Sequence, residues 1–183
     1  MSRENPLSVY ADIHSIDDAI RAGEKSVDDA KQEYNNVLWE AQSQHDECVK
    51  EVKDAEEQER WSAAELLSAK EKLEDIQREI LALEEKANEY AKDGKMDAAA
   101  SERCDAESRY AEMEKQKEIV NQAYKTNAAD QADVIACKKD EELTKEILDN
   151  IQTGVYSRVE ELDRMVAENN STLTGKRTLI ADK

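Results

Sequence analysis

Between Ser15 and Asn169 the chain carries one strong turn signal, Lys92-Asp93-Gly94-Lys95, almost at the midpoint of its 183 residues. So long a stretch with so few breaks has few ways to fold. On each side of the turn, apolar residues recur at alternating steps of three and four, the spacing that keeps one stripe on one face of a supercoiled helix. Strong helix formers fill the positions between them. With four glycines, one proline and no phenylalanine, the chain is expected to be all-α. The expected architecture is a long antiparallel helical hairpin, a two-stranded coiled coil folded at Gly94.

The expected organisation is an N-terminal extension over 1–14, a first helical arm over 15–92, a turn at 93–95, a second arm over 96–170 and a C-terminal tail over 171–183. Two helix starts compete near the N-terminus. Asn5-Pro6 offers a cap residue before a proline, and Ser15 with Asp18 resembles a capping box; the main start is placed at Ser15. The first seam runs through Ile13, Ile16, Ile20, Gly23, Val27, Ala30, Tyr34, Val37 and Ala41, takes His45 where Gln44 is expected, and continues through Cys48, Val52 and Ala55. It resumes as Leu66, Ala69, Leu73, Ile76, Ile80, Leu83, Ala87 and Tyr90. Between these runs, residues 56–65 put Glu59 and Ser62 on the seam and move the bulky apolar group to Trp61. The second seam is read as Ala106, Tyr110, Met113, Lys117, Val120 and Tyr124, weakens, and returns as Leu148, Ile151, Val155, Val159, Leu162 and Val166.

A hairpin folded at Gly94 sets residue i against a residue near 188 minus i, so the weak zones 56–65 and 123–132 share one level. Either the hairpin carries a hinge or notch there, or both arms bend and close into a four-helix bundle. The hairpin is preferred. An unbroken arm of ~75 residues would be ~110 Å long at 1.5 Å per residue.

The net charge is −18. Residues 1–94 hold 12 basic and 25 acidic residues, giving −13, and residues 95–183 hold 14 and 19, giving −5. This balance argues against binding to nucleic acid or to anionic membrane surfaces, which need clustered Lys and Arg. No run is long and apolar enough for a membrane span or signal-peptide core, so no membrane insertion is expected. Three scattered cysteines without a CxxC fit a reducing compartment. The expected location is the cytoplasm, with secretion lacking a cleavable signal left open.

No Gly-rich phosphate loop, nucleophile–base spacing or Glu-x-x-His pattern is present, so no enzyme activity and no cofactor is expected. One grouping has metal-ligand chemistry. His45 and Cys48 lie three apart on one arm, Cys137 and Asp140 three apart on the other, and the hairpin would bring them level; zinc accepts such ligands. The preferred alternative makes His45 and Cys48 small seam fillers, with Cys137 and Asp140 opposite them by coincidence. Trp39 is read as packing beside the seam. The candidate partner-binding residues are Trp61 in the seam gap, with Tyr90 and Met96 at the hairpin tip.

Trp61-Ser62-Ala63-Ala64-Glu65-Leu66 resembles a piece of the coiled coil in phage-shock protein A relatives, and Gly94-Lys95-Met96-Asp97 is similar to the coiled coil of a spliceosomal zinc-finger family. Two unrelated families matching equally over a dozen residues reflect shared helix composition, and neither family is assigned. The expected function is that of a non-enzymatic spacer, adaptor or assembly subunit, acting on a protein partner or a second copy of itself. The alternatives are an acidic effector that mimics nucleic acid or shields a basic partner, and a helical substrate of a specialised secretion system.

Overall fold

The computed structural model describes the backbone of residues 5–181 and the side chains of residues 5–173. Among these the chain is all-α, with three helices: α1 over Ser8–Arg21, α2 over Val27–Lys92 and α3 over Met96–Ala181. Two compact units result, one of Met1–Val52 with Cys137–Lys183 and one of Lys53–Ala136. Helices α2 and α3 contribute to both.

The turn at Gly94 forms as expected, and its hydrogen bonds show why it needs glycine. Gly94 has φ +75°. Its N–H donates to Ala91 O at 3.2 Å, and Lys95 N–H donates to Tyr90 O at 2.9 Å. This is the Schellman pattern, which ends a helix on a left-handed residue that only glycine adopts without cost. The same device recurs at Gly23, with φ +71°, where Gly23 N–H donates to Ile20 O and Glu24 N–H to Ala19 O, each at 3.0 Å.

That second turn corrects the reading of one continuous first arm from Ser15. The chain starts its first helix at Ser8, just after Asn5-Pro6, breaks at Gly23, and restarts after Ser26, whose Oγ accepts the Asp29 N–H at 3.2 Å. Residues 8–14 belong to this first helix rather than to an extension, and they put Val9 and Ile13 into the core. At the other end, α3 runs on beyond Asn170 to Ala181, so the separate tail over 171–183 begins as helix; residues 182 and 183 lie outside the described residues.

The first unit is a three-helix bundle. Val9, Ile13 and Ile16 of α1 meet Ala30, Tyr34, Val37 and Ala41 of α2 and Ile147, Leu148, Ile151, Val155 and Leu162 of α3 in one core. Full burial of each large side chain among these contributes about 1.5–3 kcal/mol. Contacts of Tyr10 with Asn150 and of Asp17 with Arg158 ascend together along the chain, so α1 runs parallel to α3 and antiparallel to α2.

The second unit is a two-helix hairpin. Its cross-helix pairs, Ser62 with Asn127, Glu79 with Arg109 and Lys86 with Glu102, hold the expected antiparallel register. Both weak zones, 56–65 and 123–132, are uninterrupted helix. They meet each other, as the register requires. With only two helices the buried stripe is narrow, and it is made largely of Ala69, Ile76, Ile80 and Ala87 against Ala99 and Ala106.

Candidate interaction surfaces

In α3 the seam follows an unbroken seven-residue repeat. One row is Ala99, Ala106, Met113, Val120, Asn127 and Val134, and the row three residues on is Glu102, Arg109, Gln116, Ala123 and Asp130; all these are buried or half-buried. This corrects the sequence-based seam. Tyr110, Lys117 and Tyr124 each lie one residue beyond the second row and are exposed. Aromatic bulk pointed to them, but the polar neighbours Arg109 and Gln116 hold the inner positions.

Polar residues on a seam need partners, and most have them. Asn127 Nδ2 donates to Ser62 Oγ at 3.1 Å, and Ser62 Oγ donates to Glu59 O at 3.1 Å. Gln116 Nε2 donates to the Ala69 carbonyl at 2.9 Å. Such layers fix register at some cost in stability. Asp130 is the exception: its Oδ2 is buried with no hydrogen-bond partner, at a level shared with Glu59.

In the first unit the polar centre is a clamp joining all three helices. Arg158 of α3 donates from Nε and Nη2 to the two carboxylate oxygens of Asp17 on α1, each at 2.9 Å. Tyr34 of α2 donates its hydroxyl to Asp17 Oδ1 at 2.5 Å. The paired guanidinium holds the Asp17 carboxyl below its usual range, against the opposing effect of burial. Burial, with the adjacent Asp17 carboxylate, pushes the Tyr34 hydroxyl well above its usual range. Gly154 lies one turn before Arg158, and a Cβ there would sit 3.0 Å from Arg158 Nη1. No sequence pattern predicted this clamp. Its one visible signal is an arginine beside Val159 of the apolar stripe.

The four residues with metal-ligand chemistry do not form a site. His45 Nδ1 lies 3.3 Å from Thr144 Oγ1, Cys48 is buried and Cys137 half-buried as thiols. Among the described residues no three His, Cys, Asp or Glu side chains gather so as to hold a metal ion. His45 and Cys48 act instead as seam residues of α2.

The tryptophans lie outside. Trp61 is 65% exposed on the outer side of α2, and Trp39, expected to pack beside the seam, is 73% exposed. Met96 is exposed at the tip, whereas Tyr90 is half-buried with Lys95 Nζ 5.8 Å from its ring centre. The structure therefore does not gather Trp61, Tyr90 and Met96 into one patch.

The two sides of the hairpin in the second unit differ. One shoulder is charged: Glu65, Lys72, Glu79 and Lys86 of α2 run beside Asp105 and Glu112 of α3, and Arg109 bridges Glu79 at 2.9 Å and Glu112 at 2.5 Å. The other carries apolar side chains in the open. Tyr110 donates its hydroxyl to Glu84 at 2.7 Å, which places these residues together. By the same helical periodicity Leu67 and Leu81, each 59% exposed, and Tyr124 share that shoulder. Sequence reasoning missed this surface because it assigned the tyrosines to the seam. Among the described residues no helix is long and apolar enough to cross a membrane. The chain matches no family model, no curated protein and no solved structure.

Proposed function

We propose that this protein is a non-enzymatic coiled-coil spacer, adaptor or assembly subunit that works through protein contacts. The observation that carries the reading is the set of large apolar side chains that the second unit leaves exposed, Leu67, Leu81 and Tyr124 on one shoulder and Ile119 on the other. A charged shoulder is self-satisfied by ion pairs such as Arg109 with Glu79. The opposite shoulder exposes Leu67, Leu81 and Tyr124 to solvent. Helix faces that leave large apolar groups in the open at regular spacing are the ones that dock other helices. The helices supply a frame for such docking, and the polar seam layers keep its register fixed. The location proposed for this activity is the cytoplasm.

A photo-crosslinking residue placed at Leu81, Trp61 or Met96, with exposed Lys115 as control, tests this reading in the producing cell. Discrete protein adducts from the apolar positions, absent from the control, are the expected result. Adducts no more abundant than at Lys115 contradict it. The acidic-effector alternative rests on the −18 charge and predicts instead that any partner is basic and is released by salt.

A further inference from the structure

The apolar shoulder of the second unit carries an internal symmetry that its function as a docking face does not by itself require. On α2, Leu67 and Leu81 are fourteen residues apart, and Lys70 and Glu74 lie between them; on α3, Tyr110 and Tyr124 are fourteen apart, with Glu114 and Lys117 between. Leu67 with Leu81 centres near position 74, and Lys70 with Glu74 centres on 72. Tyr110 with Tyr124 centres on 117, and Glu114 with Lys117 between 115 and 116. In the register set by Ser62 facing Asn127, these α3 centres fall opposite the same level of α2, close to residue 73. Both helices thus show one pattern read outward from one point, with unlike charges near the centre and matching apolar groups outside. Further out on α2, Arg60 and Glu84 continue it, centred on 72.

A twofold axis demands this of a surface that binds itself, because residue i must suit residue j of the copy and j must suit i. We infer that the shoulder formed by Leu67, Lys70, Glu74 and Leu81 with Tyr110 and Tyr124 binds a second copy of this chain, the two hairpins running antiparallel about an axis near residue 73. The inference rests on the protein-contact reading above and names its partner. In this arrangement Leu67 meets Leu81 of the copy, Tyr110 meets Tyr124, Lys70 meets Glu74, and Glu114 meets Lys117. The parallel arrangement of the same two shoulders sets Lys70 against Lys117 and Glu74 against Glu114, pairing like charges, and is disfavoured. On the charged shoulder Arg109 already pairs with Glu79 and Glu112 within one copy. The strip from Arg60 to Glu84 is ~37 Å long at 1.5 Å per residue and about two helices, ~20 Å, wide. It therefore offers ~750 Å² per copy, close to the ~800 Å² per partner of a stable interface.

Sedimentation equilibrium on the full chain tests this, because the charged residues are exposed and their exchange leaves the fold intact. The wild-type chain is expected to dimerise. Lys70→Glu alone and Glu74→Lys alone each place like charges across the axis and weaken the dimer about tenfold or more, the scale of one or two lost charge pairs. The double exchange Lys70→Glu/Glu74→Lys restores it, and an equimolar mixture of the two single variants forms mixed dimers in preference to either parent. A wild-type chain that stays monomeric up to about 100 μM, well above the range of standard interfaces, overturns the inference. So does a dimer indifferent to these exchanges. A monomer whose Leu81 position crosslinks to a different protein overturns the second-copy assignment while leaving the adaptor reading standing.

Discussion

At the scale of single residues, the first unit depends on Asp17. It is the acceptor for both Arg158 and Tyr34, so it ties α1 to the other two helices. Its carboxyl is held below the unfolded value of about 3.9. The contribution of the clamp is therefore complete above that value and is lost as pH falls through the lower folded one. Asp17→Asn removes the charge while keeping the shape, and is expected to cost about 1.5–3 kcal/mol near neutral pH, the range for hydrogen bonds to charged groups. Thermal melts from about pH 7 to pH 3 check both statements: the variant melts lower at neutral pH, and the wild-type advantage shrinks toward the acid end. An equal gap at all pH values would show that Asp17 acts only through packing. The clamp was illegible in the sequence because Arg158 lies 141 positions from Asp17, and each member alone looks like an ordinary surface or core residue.

At the scale of helices, the seam was legible and its interruptions were not. Steps of three and four located α2 and α3, and the Gly94 turn followed from its Asp-Gly context. Gly23 misled because it falls on the same three-residue and four-residue steps, between Ile20 and Val27, so periodicity alone ran the helix through it. The discriminating signal was Ser26 with Asp29 three residues on, a start signal placed just after a glycine. The polar zone at 56–65 was legible as a weakness. Its meaning as a layer joining Ser62 to Asn127 depended on packing that only the fold displays. Asp130 is the weakest member of that region, with a buried oxygen lacking a partner. Asp130→Leu is expected to raise stability by about 1–2 kcal/mol, by removing the desolvation cost of an unpaired buried polar group. Chemical denaturation measures it. A destabilised variant would mean that the carboxylate is satisfied in solution.

At the scale of the whole chain, the two units divide the work. The three-helix unit gathers the large buried side chains, from Val9 through Leu162. The hairpin unit buries Ile76 and Ile80 among alanines, keeps its register by polar layers, and leaves other large apolar groups outside. A chain of charge −18 could bind through that charge or in spite of it. Docking through Leu67, Leu81 and Tyr124 is apolar in its main part and should survive screening. The charge-shield alternative should not. The deciding measurement is the affinity of the full chain for its bound protein, whether a second copy or another chain, across a rise in salt from about 0.1 to 0.5 M, where the screening length falls below ~5 Å. A loss of no more than about tenfold, the share that pairs such as Lys70 with Glu74 can carry, is the predicted result, whereas a loss of about a hundredfold or more would show that charge, not the helix shoulder, makes the contact.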